Sequence, residues 1–169
     1  MSNEDNFLLE FKDLEEKSIR NLLDRIEETK GKPLNEFRLM DLTYHNGNQI
    51  SPGIGVYIFR IAKDILLVGK NSSMSFTERI GKHFDFRHGA WFNRLLVLIC
   101  QRQLKIEVND ENLRIASKYA YENLNLVLIN FNNKERINRT ERLLRSCTNS
   151  LNKFRNLREN NLEKLVKDY

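Results

Sequence analysis

Apolar residues along this 169-residue chain recur with two distinct periods. Phe7, Phe11, Leu14, Leu22 and Ile26 fall at helical spacing with charges between them. That predicts a helix over residues 5–29, ended by Gly31-Lys32-Pro33. Residues 33–53 read as irregular around the turn signal Asn46-Gly47-Asn48, with room for a short strand or helix at 36–43. The period then changes. Residues 54–61 and 65–69 are apolar and strand-like, and only Ala62-Lys63-Asp64 separates them, which predicts a tight antiparallel hairpin.

Ser75-Phe76-Thr77-Glu78 has the form of a capping box, so a helix should start at Phe76 and run to about Phe86. Trp91, Leu95, Leu98 and Ile99 predict a second helix over 90–104, and Asp110 caps a third over about 111–122. Leu124 to Phe131 is almost wholly apolar or Asn, as in a strand buried on both faces. Asn138-Arg139-Thr140-Glu141 opens a helix ending near Asn149, and a short charged helix follows around 162–166.

This order predicts an α+β fold. A small central antiparallel sheet, made of the hairpin and the later strand, is flanked by helices and carries an N-terminal helical extension. The expected divisions are 1–50 for the extension, 51–155 for the main domain and 156–169 for a helical tail of that domain. The N-terminal helix is the expected contact for a second copy or a protein partner.

Composition adds a direction. With 40% hydrophobic and 30% charged residues the chain is of ordinary globular type. Its charge is uneven. Residues 1–32 hold 6 Lys/Arg and 9 Asp/Glu, or −3, while residues 33–169 hold 22 and 14, or +8. A basic segment favours a polyanionic partner, because Lys and Arg contacts to phosphate supply most non-specific nucleic-acid affinity. Cys100 and Cys147 sit in apolar settings and read as free thiols of a reducing compartment. There is no zinc-type Cys/His spacing. The acidic start Met1-Ser2-Asn3-Glu4-Asp5 has no apolar signal core, and no apolar run is long enough to span a bilayer. The expectation is a cytoplasmic protein without a membrane partner.

Three short strings gather the reactive side chains: Gly55-Val56-Tyr57 in the first hairpin strand, Leu67-Val68-Gly69-Lys70 at the end of the second, and Arg79-Ile80-Gly81-Lys82-His83-Phe84 on the helix that follows. Taken alone, Tyr57 is a half-buried core tyrosine with its hydroxyl at the rim. Arg79 and His83, at i and i+4, share one helix face and form either a solvated stripe or a site. Glu141 lies three residues after Asn138, so it either closes its own helix N-terminus or binds a ligand. Asn152 reads equally well as a turn residue, and Lys70 as a strand-end surface lysine. Yet a tyrosine, a guanidinium and an imidazole around one small surface suit work on a phosphodiester. That reaction needs an activated nucleophile, balanced transition-state charge and a stabilised leaving oxygen.

These strings resemble the GIY-YIG nuclease family. The first reads as GIY with Val56 for Ile, and the second as YIG with Leu67 for Tyr and Val68 for Ile. The resemblance covers residues 54–153 and rests on the ordered set Tyr57, Gly69, Arg79, His83, Glu141 and Asn152. It implies a metal-dependent endonuclease acting on DNA. In that pattern Tyr57 contacts the attacking water or acts as general base. Arg79 grips the scissile phosphate with a planar fork of donors. His83 hydrogen-bonds a phosphate oxygen or orients the tyrosine. Glu141 binds one Mg²⁺ or Mn²⁺ whose remaining ligands are waters, and Asn152 matches the asparagine that follows the family glutamate. Lys70 lies where a phosphate or a deprotonated tyrosine could be paired. Leu67 is a departure, since no phenol comes from that position. Activity then rests on the remaining set, or Lys70 compensates, or the domain is a catalytically silent nucleic-acid-binding module. A structural domain without nucleic-acid affinity, recruiting a protein through its N-terminal helix, is the third class.

Overall fold

The computed structural model describes residues 6–14, 18–87 and 89–152. Its centre is the hairpin. Strands β5 (Gly55–Ile61) and β6 (Asp64–Asn71) pair antiparallel around a turn that holds Ala62 at φ 50°. Strand β7 (Asn125–Asn130) pairs antiparallel with β5 on its other side. Two earlier strands complete the sheet on the far side of β7. Strand β1 (Leu8–Glu10) runs parallel to it and β2 (Lys32–Pro33) antiparallel. Strands β3 (Tyr44–His45) and β4 (Asn48–Gln49) form a separate hairpin around Asn46 and Gly47. Both turn residues have positive φ, as a two-residue loop of matching twist requires.

Both sheet faces are covered, which is why the strands are almost continuously apolar. Tyr57, Phe59, Leu67, Leu126 and Leu128 face one core. Against it pack α2 (Phe76–Gly81), α3 (Arg94–Leu98) and α4 (Asp110–Asn123). Val56, Ile58, Val68, Val127 and Ile129 face the other core, against α1 (Ile19–Glu28) and α5 (Ile137–Cys147). The α+β class is therefore as expected.

Several expectations are corrected. The helix expected over 5–29 begins only at Ile19, where Ser18 accepts a hydrogen bond from Asn21 N. Before it, Leu8 and Leu9 alternate between the two cores as strand residues do. Residues expected to form an extension thus supply two strands of the main sheet. The apolar stripe of α1 (Ile19, Leu22, Ile26) is buried in the protein's own core, so it is not available to a partner. Arg60, buried on β5, donates to the carbonyls of Ile26 and Thr29 and so closes the C-terminal end of α1.

Other elements shift by a few residues. Ser75 caps α2 as expected, accepting from Glu78 N at 3.3 Å. The helix tightens at once into a 3₁₀ turn over Lys82–Phe84 instead of running to Phe86. The helix expected over 90–104 starts at Arg94 and ends in a π-helical stretch, Ile99–Leu104, closed by Lys105 at φ 55°. Asn109, not Asp110, caps α4. The charged helix around 162–166 and the tail 156–169 lie outside the described residues. Both cysteines are free thiols, Cys100 buried and Cys147 half-buried. No described helix is long and apolar enough to cross a membrane.

Candidate active site

Tyr57 and Gly69 are direct cross-strand partners on β5 and β6. A Cβ at position 69 would overlap the Tyr57 ring, so the glycine makes room for the phenol to lie flat across β6. Gly55 serves the same strand in another way. A Cβ there would run into the Ile129 carbonyl of β7 and the Phe131 ring. The two glycines of the paired strings therefore let the strands close and the phenol reach the sheet edge.

The Tyr57 hydroxyl meets both residues of the following helical turn. Arg79 Nε–H donates to it at 3.1 Å, and His83 Nε2 lies at 2.7 Å. The tightening from α2 into the 3₁₀ turn keeps positions 79 and 83 on one side, and the imidazole packs edge-on to Tyr57 and Phe59. Burial pushes the His83 imidazole down to about 3, with the Arg79 charge adding to the effect, so the ring is neutral at ordinary pH. Burial likewise raises the Tyr57 phenol above its usual value, and Arg79 partly opposes the rise. The other ring nitrogen of His83, Nδ1, is buried without a hydrogen bond among the described residues. A neutral imidazole carries one N–H. If Nε2 carries it, the phenol oxygen receives two donors and its own proton points into the cleft. If Nδ1 carries it, the phenol donates to Nε2 and a buried N–H stands alone.

Glu141 projects from α5 towards the same edge. Its Oε1 accepts from Arg145 Nη1 at 3.0 Å, and its Oε2 is 4.0 Å from Lys70 Nζ. The capping alternative does not hold. Asn138 lies inside α5, whose N-cap residue, Arg136, makes no side-chain cap bond. The Asn138 amide instead accepts from Lys70 Nζ at 2.6 Å. Asn152 has a positioning role. β6 is a sheet edge, and Asn152 pairs both free groups of Val68, accepting from its N–H at 3.2 Å and donating to its carbonyl at 2.6 Å. This clamp positions β6 just before Gly69 and uses the Asn152 amide oxygen and one of its two N–H groups.

Tyr57, Lys70, Arg79, His83, Glu141 and Asn152 all line one cleft of about 300 Å³. Leu67, the departure from the resembled pattern, stands there too, 2% exposed. A larger hollow of about 460 Å³ lies beyond the β5–β6 turn, and its only charged lining residues among the described ones are Lys63, which is paired with Glu27, and Asp64. Compared with family models, curated proteins and solved structures, the chain matches none.

Four lining residues escaped the sequence reading: Trp91, Phe92, Arg94 and Arg145. Arg145 was within reach of it, as the i+4 partner of Glu141. Phe92 lies under the Arg79 guanidinium at 4.5 Å and under Lys82 Nζ at 5.2 Å. It holds the cationic side chains over the cleft mouth. The signal for it was hidden because residues 90–93 read as helix.

A divalent ion would find one carboxylate here. Among the described residues no three His, Cys, Asp or Glu side chains cluster as metal ligands, and the single Glu141 carboxylate is a smaller donor set than zinc takes. It fits a hydrated Mg²⁺ or Mn²⁺ better, since such ions keep most of their waters. Arg145 fixes Oε1 and, among the described residues, leaves Oε2 with only the long Lys70 contact.

Proposed function

We propose that the chain is a divalent-metal-dependent endonuclease that hydrolyses DNA phosphodiester bonds. The observation that carries this reading is the phenol of Tyr57, held between Arg79 and His83 in the cleft that also receives Glu141. Arg79 has donors beyond Nε to bind the scissile phosphate while Nε keeps the phenol oriented. Pairing with phosphate offsets the Arg79 charge, which relieves one of the two causes that depress His83. The imidazole then becomes a better acceptor for the phenol proton, as the phenol takes a proton from the attacking water. The water oxygen forms the new bond to phosphorus, and the leaving oxygen departs with the electron pair of the broken bond. Glu141 would hold the Mg²⁺ or Mn²⁺, which supplies charge stabilisation at the leaving oxygen when bound. Lys70 moves between Glu141 and the incoming phosphate, a cation on a flexible stem.

A second reading keeps the fold and drops the reaction: a silent DNA-binding module. Leu67 favours it, because the position cannot order a water, and so do the cations near both Glu141 oxygens. Nicking of supercoiled plasmid separates the two. The first reading expects nicks with Mg²⁺ or Mn²⁺ and none with chelator. Retarded but uncut plasmid under all conditions would select the second.

A further inference from the structure

Trp91 is 88% exposed, more than any other large apolar side chain among the described residues, yet it lines the cleft of Tyr57, Arg79 and Glu141. Its loop is braced from behind. Ala90 N and Asn93 Nδ2 both donate to the Arg87 carbonyl at 3.1 Å, and the Arg87 guanidinium is paired with Asp85. The indole meets Phe92 edge-on at 6.3 Å, and Phe92 itself sits 4.5 Å from the Arg79 guanidinium. The indole is therefore no farther from Arg79 than those two distances combined, within reach of a nucleotide neighbouring a phosphate bound there. The chain presents an open aromatic face beside cations, the pairing with which proteins take up unstacked bases along a phosphate backbone.

The faces of bases in an intact duplex are covered by their neighbours. An indole can cover a base only where that base is unpaired or swung out. Resting on the endonuclease reading, we infer that Trp91 is a stacking platform for an unpaired base beside the scissile phosphate. The preferred substrate class is then DNA with a single-stranded segment at the cut, such as a flap, a gap or an overhang.

Trp91 is the chain's one tryptophan, so red-edge-excited fluorescence reports on this position alone. The full chain is titrated in chelator, to prevent cutting, with three dye-labelled DNAs: a single strand, a duplex of equal length and that duplex with a flap. Dye anisotropy reports binding, and indole emission reports stacking. The inference expects all three to bind, with the single strand and the flap quenching the indole and the plain duplex leaving it bright. It also expects Trp91→Ala to lower the ratio of flap to duplex affinity about tenfold, with Trp91→Phe keeping most of it. Binding without quenching, equal quenching by plain duplex, or an unchanged ratio in Trp91→Ala overturns the inference and leaves the endonuclease reading standing. No anisotropy change with any DNA overturns both.

Discussion

The ring of Tyr57 fills the space that any side chain at Gly69 would occupy, and the two residues face each other across one hairpin. The second short string thus exists, in part, to make room for the first. The phenol oxygen reaches His83 and Arg79 only because β6 is bare beneath the ring. Gly69→Ala should therefore push the ring from its place. The expected result is a loss of about 1–3 kcal/mol in stability from overpacking, with cleavage reduced further than unfolding explains. Urea denaturation and a nicking assay below the unfolding range check both parts.

Glu141→Gln keeps the shape of the side chain and removes the charge. Metal-dependent cleavage should fall by at least about a hundredfold, the scale of losing one strong electrostatic contribution. DNA affinity in chelator should hold or rise, because a carboxylate beside a phosphate site repels it. Anisotropy with labelled DNA and plasmid nicking give the two readouts. Cleavage at the parent rate would remove Glu141 from the reaction.

Lys70→Ala tests whether the lysine compensates for Leu67. Cleavage should drop while the fold holds, since the lysine makes surface contacts to Asn138 and a long one to Glu141. Leu67→Tyr should raise the rate or leave it unchanged, at a cost of about 1–3 kcal/mol from packing a larger ring into a buried position. Single-turnover rates on labelled DNA decide. A Lys70→Ala variant as fast as the parent rules out compensation.

His83 gives a stability signature that needs no substrate. Its imidazole stays neutral in the fold down to about 3, against 6.5 for the free side chain. Below 6.5 the unfolded chain binds a proton that the folded chain refuses, so this group's contribution to stability is full above 6.5 and is lost as pH falls towards 3. The parent should lose stability between pH 6.5 and 4.5 more steeply than His83→Gln, measured by urea unfolding across that window. Parallel slopes would mean that His83 titrates normally.

Much of this arrangement was legible in the sequence because local chemistry and tertiary packing agree there. The hairpin, the Ser75 cap and the both-faces-buried strand β7 are set by residues adjacent in the chain. The N-terminal strand was not legible. Phe7, Phe11 and Leu14 fit a helical period, and only pairing with β7, more than a hundred residues later, decides that Leu8–Glu10 is extended. In the site, Tyr57, Arg79 and His83 could be grouped because a hairpin and one helical turn bring them together. The state of Glu141 could not be read, because Asn138 three residues earlier imitates a cap, and the competing partner, Lys70, arrives from another element. The Trp91 loop was hidden by an apolar pattern continuous with α3.

The central claim is that the Tyr57 hydroxyl takes part in the reaction, and Tyr57→Phe tests it most directly. The substitution leaves the ring over Gly69 and removes one oxygen, at a cost of about 1–3 kcal/mol for the buried His83 nitrogen left without its partner, so the variant is first shown to be folded. Single-turnover cleavage of labelled DNA is measured with Mg²⁺ and with Mn²⁺, alongside affinity in chelator. The account predicts cleavage by the parent, a fall of about 10²–10⁴-fold in Tyr57→Phe, and affinity within about threefold of the parent's. A Tyr57→Phe protein that cuts as fast as the parent, or a folded parent that cuts no DNA with either ion, contradicts it.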